Sequence, residues 1–153
     1  MKKYDSKLDT IKHIERVKEL LFNSIEEISK RAKNHDKTKL ENPEKDGFDI
    51  YIPKLKEITY GSDEYKSCLK DLGKVLDHHY KHNSHHPEHY KNGIDDMDIF
   101  DIIEMLFDWK AASERHKDGN VFKSIKQNKK RFNISSQLVK IFENTLCNMK
   151  IKK

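Results

Sequence analysis

Glycine and proline are scarce, with five glycines and three prolines in 153 residues. A chain so poor in turn residues is ill suited to a protein of many hairpins. Runs of β-branched residues are scarce as well, and helix formers dominate, so the expected fold class is all-α. The two cysteines, Cys68 and Cys147, make neither a ligand motif nor a disulfide framework. A reduced compartment is the simplest expectation. No apolar run approaches transmembrane length, and Met1-Lys2-Lys3-Tyr4-Asp5 has no apolar core of a signal peptide. A cytoplasmic protein with no membrane partner is expected. No P-loop, glycine-rich dinucleotide box or serine nucleophile elbow occurs. That disfavours kinases, Rossmann oxidoreductases and serine hydrolases.

What is present is charge, periodic apolar residues and histidine. Charged residues make up 37% of the chain and apolar residues 35%, a polar balance. The apolar residues recur at helical spacing, which argues against disorder. The net charge of +5 comes from lysines interleaved with acids, the pattern of a solvated surface. It is compatible with an anionic ligand such as a phosphate ester. Nucleic acid is not favoured, because aromatic-basic clustering and a concentrated Arg/Lys recognition face are both lacking. The length suits one domain over 1–153.

The spacing predicts a first helix over about Ser6 to Lys33, with Leu8, Ile11, Ile14, Val17, Leu21, Ile25, Ile28 and Ala32 as its buried stripe. Leu40 to Gly47 reads as a loop. Asp49 to Ile58 reads as a short helix with Pro53 in its first turn. Ser62 or Asp63 caps a following helix striped by Leu69, Leu72, Val75, Leu76 and Tyr80. A long helix is expected over Asp96 to Lys117, with Ile99, Phe100, Ile103, Leu106, Phe107 and Ala111 on its apolar side. Two shorter helices follow, Val121 to Lys130 and Ser135 to Met149.

Six of the nine histidines fall between His78 and His89. His79, His82 and His86 share one helical face if the helix continues that far, and His78 and His85 form a second pair. Neutral imidazoles and carboxylates are the ligands of zinc, manganese, iron and nickel. A polar loop that traps ions weakly is the bland alternative. Downstream, Asp101, Glu104 and Asp108 lie on one side of a helix. They are either a solvated acidic face paired to Lys110 or Arg115, or partly buried carboxylates that need a cation or hydrogen-bond donors.

Upstream stands His35-Asp36-Lys37-Thr38-Lys39. The order of a helix histidine (His13), a His-Asp pair, a histidine-rich helix end and an aspartate on a long helix resembles the HD-domain metal phosphohydrolase superfamily. The box from His35 to Lys39, then Tyr60-Gly61, His82-x-x-His85-His86-Pro87-Glu88, and Glu104-Met105 with Asp108-Trp109-x-Ala111, are similar to the motifs of a small uncharacterised phage and bacterial family. These motifs span about Ile11 to Phe132. The resemblance implies an HD-like helical bundle holding one or two divalent ions, among Mn, Fe, Co, Ni, Zn and Mg. It places His13, His35, Asp36 and Asp108 at the main site. His79 and His86, with His82 nearby, are its candidates for a second ion.

That ligand set implies hydrolysis of a small phosphorylated substrate, most naturally a nucleotide, by metal-activated water. Asp36 suits a bridging role. Lys39, one turn after Asp36, is placed to contact a substrate phosphate. Lys129 and Arg131, within the basic group that includes Lys126 and Lys130, are candidates for further phosphate contacts, against the ordinary reading of a solvated run. Glu104 is placed to orient a ligand histidine or relay a proton. Two other functions fit the same residues. One is a di-iron oxygenase of HD type. The other is a non-catalytic phage protein that binds a nucleotide or modulates a host partner.

Overall fold

The structure is a computed structural model that describes residues 4–59, 62–115 and 119–151. Tyr60, Gly61, His116, Lys117 and Asp118, which carry expectations from the sequence, lie outside the described residues, as does the side chain of Leu69. Among the described residues there are seven α-helices, three short 3-10 turns and no strand, so the chain is all-α. Its internal contacts divide it into two units, 1–35 and 36–153.

The first unit is the helix α1, Lys7–Asn34. Its bounds match the expected ones, but the expected buried stripe is not buried. No residue of α1 is buried, and Leu8 at 62% and Ile25 at 58% are well exposed. Periodicity fixes which side of a helix is apolar, whereas burial needs a second layer, which a single helix does not contain. Its polar side carries the close-spaced pairs Glu15–Lys18, Arg16–Glu19 and Glu27–Arg31. Exposed pairs of this kind contribute little.

The second unit opens with a 3-10 turn, Lys37–Leu40, and the helix α2, Glu44–Glu57. The expected loop over Leu40 to Gly47 is only partly found, and the helix expected from Asp49 begins earlier. It starts at Glu44, where Glu44 and Asp46 favour the positive end of the helix dipole. Pro53 therefore lies inside α2 rather than in its first turn, where its missing N–H removes one helical hydrogen bond. Gly47 lets α2 approach closely. A Cβ there would sit 2.5 Å from Cγ2 of Val75.

The expected helix after Ser62 is two helices, α3 at Asp63–Asp71 and α4 at Gly73–His82. Ser62 caps α3 by accepting from the Tyr65 N–H, as expected. The break falls at Leu72, next to Gly73, a residue type that weakens a helix interior by about 1 kcal/mol. α4 ends at His82 and Asn83 is extended, so the histidine stretch does not continue as one helical face.

The helix α5, Ile99–Ser113, starts three residues later than expected because Asp98 and Asp101 form a reciprocal capping box. Its buried residues are Asp101, Met105, Leu106 and Trp109, while Ile99 and Phe107 are exposed. Of the expected apolar side Leu106 is buried and Phe100 and Ile103 are half-buried, and the buried set also takes in the acid Asp101. Helices α6, Val121–Arg131, and α7, Ser136–Asn148, follow, capped by Asn120 and Ser135. They pack on the lower half of α5 around Phe122, Ile125, Phe142 and Leu146. Trp109 stacks on Phe132 and meets Phe142 edge-on. Burying such aromatic and aliphatic side chains contributes roughly 1.5–3 kcal/mol each before chain entropy. This core fixes α5, and α5 in turn presents its acids to the histidine stretch.

Candidate metal centre

Asp36 enters the second unit in the left-handed region, at φ 56 and ψ 17. Aspartate is one of the few residues with a side chain that visits this conformation, at a cost on the order of 1 kcal/mol. Lys39, three residues on, donates to Asp36 Oδ2 at 2.5 Å. The other oxygen, Oδ1, faces two imidazoles. It lies 3.4 Å from His79 Nε2 and 3.6 Å from His85 Nε2. Both separations exceed the usual hydrogen-bond range of about 2.7–3.2 Å.

Each of these imidazoles is held from behind by a carboxylate. His79 Nδ1 lies 2.8 Å from Glu44 Oε2, and His85 Nδ1 lies 3.2 Å from Glu104 Oε1. A carboxylate oxygen accepts, so His79 Nδ1 carries the hydrogen, and the Glu104 oxygen favours the same tautomer in His85. In the neutral ring Nε2 is then a lone pair. His79 is kept neutral, since burial and the Lys39 charge push its pKa down more than Asp36 and Glu44 raise it. Of the two rings, His79 Nε2 faces His86 Nε2 at 2.8 Å as well as Asp36 Oδ1 at 3.4 Å. A carboxylate behind each ligand histidine is the usual supporting shell of a metal site.

His86 completes the group. Its Nε2 lies 2.8 Å from His79 Nε2, and its ring packs on His85 and Tyr80. Burial first, then the neighbouring His85 and His79, hold its pKa well below the usual range, against the pull of Asp108. The ligand atoms of Asp36, His79, His85 and His86 all lie within 4.8 Å of one another. With metal–ligand bonds of about 2.1 Å, tetrahedral neighbours stand about 3.4 Å apart. The Asp36–His79 and Asp36–His85 separations are close to that figure, and the His79–His86 separation is shorter. A carboxylate oxygen of Asp108 lies within 4.8 Å of one from Asp36, so residues 72 positions apart (108 − 36) meet.

Glu44 is the residue the sequence reading missed. It is 0% exposed, yet accepts from His78 Nδ1 at 2.8 Å, His79 Nδ1 at 2.8 Å and Thr38 Oγ at 2.9 Å. Burial alone would raise its pKa, but these hydrogen bonds outweigh it and keep the carboxyl below its usual range. Asn83 donates to Thr38 Oγ and to the His79 carbonyl, which ties the end of α4 to the turn after Asp36. The detectable signal was Pro43-Glu44-Lys45-Asp46, a helix start with acids in its first turn.

Of the other expected residues, Glu104 stands behind His85 as an orienting group. His82 is not brought to the group. It is exposed, stacks on His78 and donates from Nδ1 to the His78 carbonyl. Its place is taken by His85, because the chain leaves the helix after His82 and helical spacing no longer decides which histidines converge. His13 is an exposed residue of α1, and His35 is the C-cap of α1 with its N–H on the Arg31 carbonyl. On α6, Lys129 donates to Ser136 Oγ, and Arg131 pairs with Glu88 at 2.6 Å while lying over the Phe132 ring.

Residues 2–148 match the family of unknown function DUF5662. The chain belongs to that family. No curated protein and no solved structure matches it. This DUF5662 chain therefore holds Asp36, His79, His85 and His86 in a group able to take a metal ion. No helix among its described residues is long and apolar enough to cross a membrane.

Proposed function

We propose that this chain is a metal-dependent phosphohydrolase acting on a nucleotide or another small phosphate ester. The observation that carries the reading is the pair of imidazoles, each backed by a carboxylate, that turn Nε2 toward Asp36 Oδ1. Asp36, His79, His85 and His86 are the proposed ligands, with Asp108 beside Asp36. The HD-domain resemblance adds His13 and His35. Both belong to the first unit, and the proposal stands without them. A divalent ion held there supplies Lewis acidity and a bound water whose pKa falls toward neutrality.

The chain's own groups have separate tasks. Glu44 and Glu104 keep Nδ1 of His79 and His85 protonated, so that Nε2 is the donor to the ion. Lys39, which donates to Asp36 Oδ2, would offer its ammonium to a substrate phosphate. Lys129 and Arg131 remain candidates for a more distant phosphate. The test is a screen of nucleotides and cyclic nucleotides with tag-free protein loaded with Mn, Co, Ni, Zn, Mg or Fe. Phosphate release that disappears in Asp36→Asn is expected. No turnover with any of these metals would overturn the reading. Oxygen consumption by the iron form without phosphate release would replace it with the oxygenase alternative.

A further inference from the structure

We infer that Asp101 is a positioning residue that clamps the loop carrying His85 and His86 onto α5, and so sets the geometry of the metal group. The inference rests on the metal reading above and concerns residues that do not themselves touch the ion.

The stretch from Asn83 to Tyr90 is the least regular part of the site. Asn83 and His86 both have extended backbone, with a turn at Ser84 and His85 between them, closed by the His86 N–H on the Asn83 carbonyl, and the short turn Pro87–His89 after them. Such a segment gets its position from side chains, because it makes no continuous helical ladder. Two of its side chains converge on one carboxylate. Ser84 Oγ donates to Asp101 Oδ1 at 2.6 Å, and Tyr90 OH donates to Asp101 Oδ2 at 2.6 Å. These two residues bracket His85 and His86. Short hydroxyl-to-carboxylate bonds are roughly twice as strong as neutral ones.

Asp101 is 1% exposed, and a buried charge of this kind is tolerated only where donors surround it. The Asp98 N–H is a third donor, at 3.1 Å to Oδ2. Burial and then the bond to Asp101 push the Tyr90 pKa up to about 12, so the phenol stays a donor at neutral pH. Asp101 also shares a face of α5 with Glu104, the residue that holds His85 Nδ1. One helix thus fixes both the loop and the group that orients its histidine. Slippage of the loop would lengthen the 3.2 Å contact between His85 and Glu104.

Asp101 has a second task in the capping box, and the test must separate the two. Ser84→Ala and Tyr90→Phe remove the loop half and leave the box intact. Asp98→Ala removes the side-chain half of the box and leaves the loop bonds. The readouts are the imidazole nitrogen spectrum of the metal-free protein and a cobalt titration followed by visible absorption. In wild type, His85 is expected as a single tautomer with hydrogen on Nδ1. In the Ser84→Ala/Tyr90→Phe double variant that tautomer is expected to average. Cobalt affinity is expected to fall about 10- to 100-fold, the usual effect of losing outer-shell support, with an altered spectrum. Asp98→Ala is expected to lower the melting temperature while leaving tautomer and cobalt spectrum unchanged. An unchanged tautomer in the double variant, or equal loss in Asp98→Ala, would overturn the clamp. If wild type takes up no cobalt, the metal reading fails by itself, and the His85 tautomer alone then decides whether Asp101 positions the loop.

Discussion

A carboxylate at Glu44, where no water reaches, survives because three donors meet it. Glu44→Gln keeps the shape but turns one acceptor into a donor that opposes an imidazole N–H. The loss expected is about 1.5–3 kcal/mol, the scale of a hydrogen bond to a charged group, read by urea unfolding of the metal-free protein. Metal affinity is expected to fall as well, because His79 loses the partner that fixes its tautomer. Tyr90 supplies a pH prediction. Its folded pKa of about 12 lies above the ordinary value of 10.0, so the folded state holds that proton more tightly. Its contribution is complete below the unfolded pKa and is lost as pH rises from about 10 to about 12. Alkaline unfolding curves of wild type should therefore steepen in that window, and Tyr90→Phe should flatten them. Equal curves would show that the phenol is not held. At this scale the sequence was legible for residue types and less so for partners. Asp36, His79 and His86 were identifiable from a His-Asp box and a histidine run. Glu44 was not, since nothing local in the sequence shows that its carboxylate meets residues more than thirty positions away.

The elements around the site depend on close approach and on where helices stop. Gly47 is the contact point of α2 with α4, and a methyl group there meets Val75 at 2.5 Å. Gly47→Ala should cost about 1–3 kcal/mol, the range for overpacking, and should weaken metal binding by moving Glu44 from His79. Val75→Ala should restore much of both in the double variant, and additive losses in a thermal double-mutant cycle would contradict this contact. Helix ends with polar caps were readable, as Ser62 shows. The end of α4 was harder to read. His79, His82 and His86 share a face only on an unbroken helix, and the chain turns extended at Asn83 instead. The inward face of α5 was only partly readable from its apolar residues, of which Leu106 is buried. Asp101, Glu104 and Asp108 face the histidine stretch, while the large aliphatic Ile99 is left exposed.

On the scale of the whole molecule, the fold class followed from composition and periodicity, and the burial of α1 did not. Apolar stripes predict which side of a helix seeks a partner and say nothing of where the partner is. The second unit builds its site from three stretches: the turn after Asp36, the segment from His79 to His86, and α5. Convergence over such distances depends on the α5–α6–α7 core and the α2–α4 contact, neither of which a local pattern encodes. The central claim is that these stretches hold a divalent ion. It is tested most directly by the metal content of tag-free protein after loading and desalting, in wild type, Asp36→Asn and His82→Ala. Asparagine tolerates the left-handed backbone at position 36, so Asp36→Asn removes charge without forcing the turn. The account predicts a stoichiometric ion in wild type and in His82→Ala, and its loss in Asp36→Asn. Wild type without metal, or Asp36→Asn retaining the full amount, would contradict it.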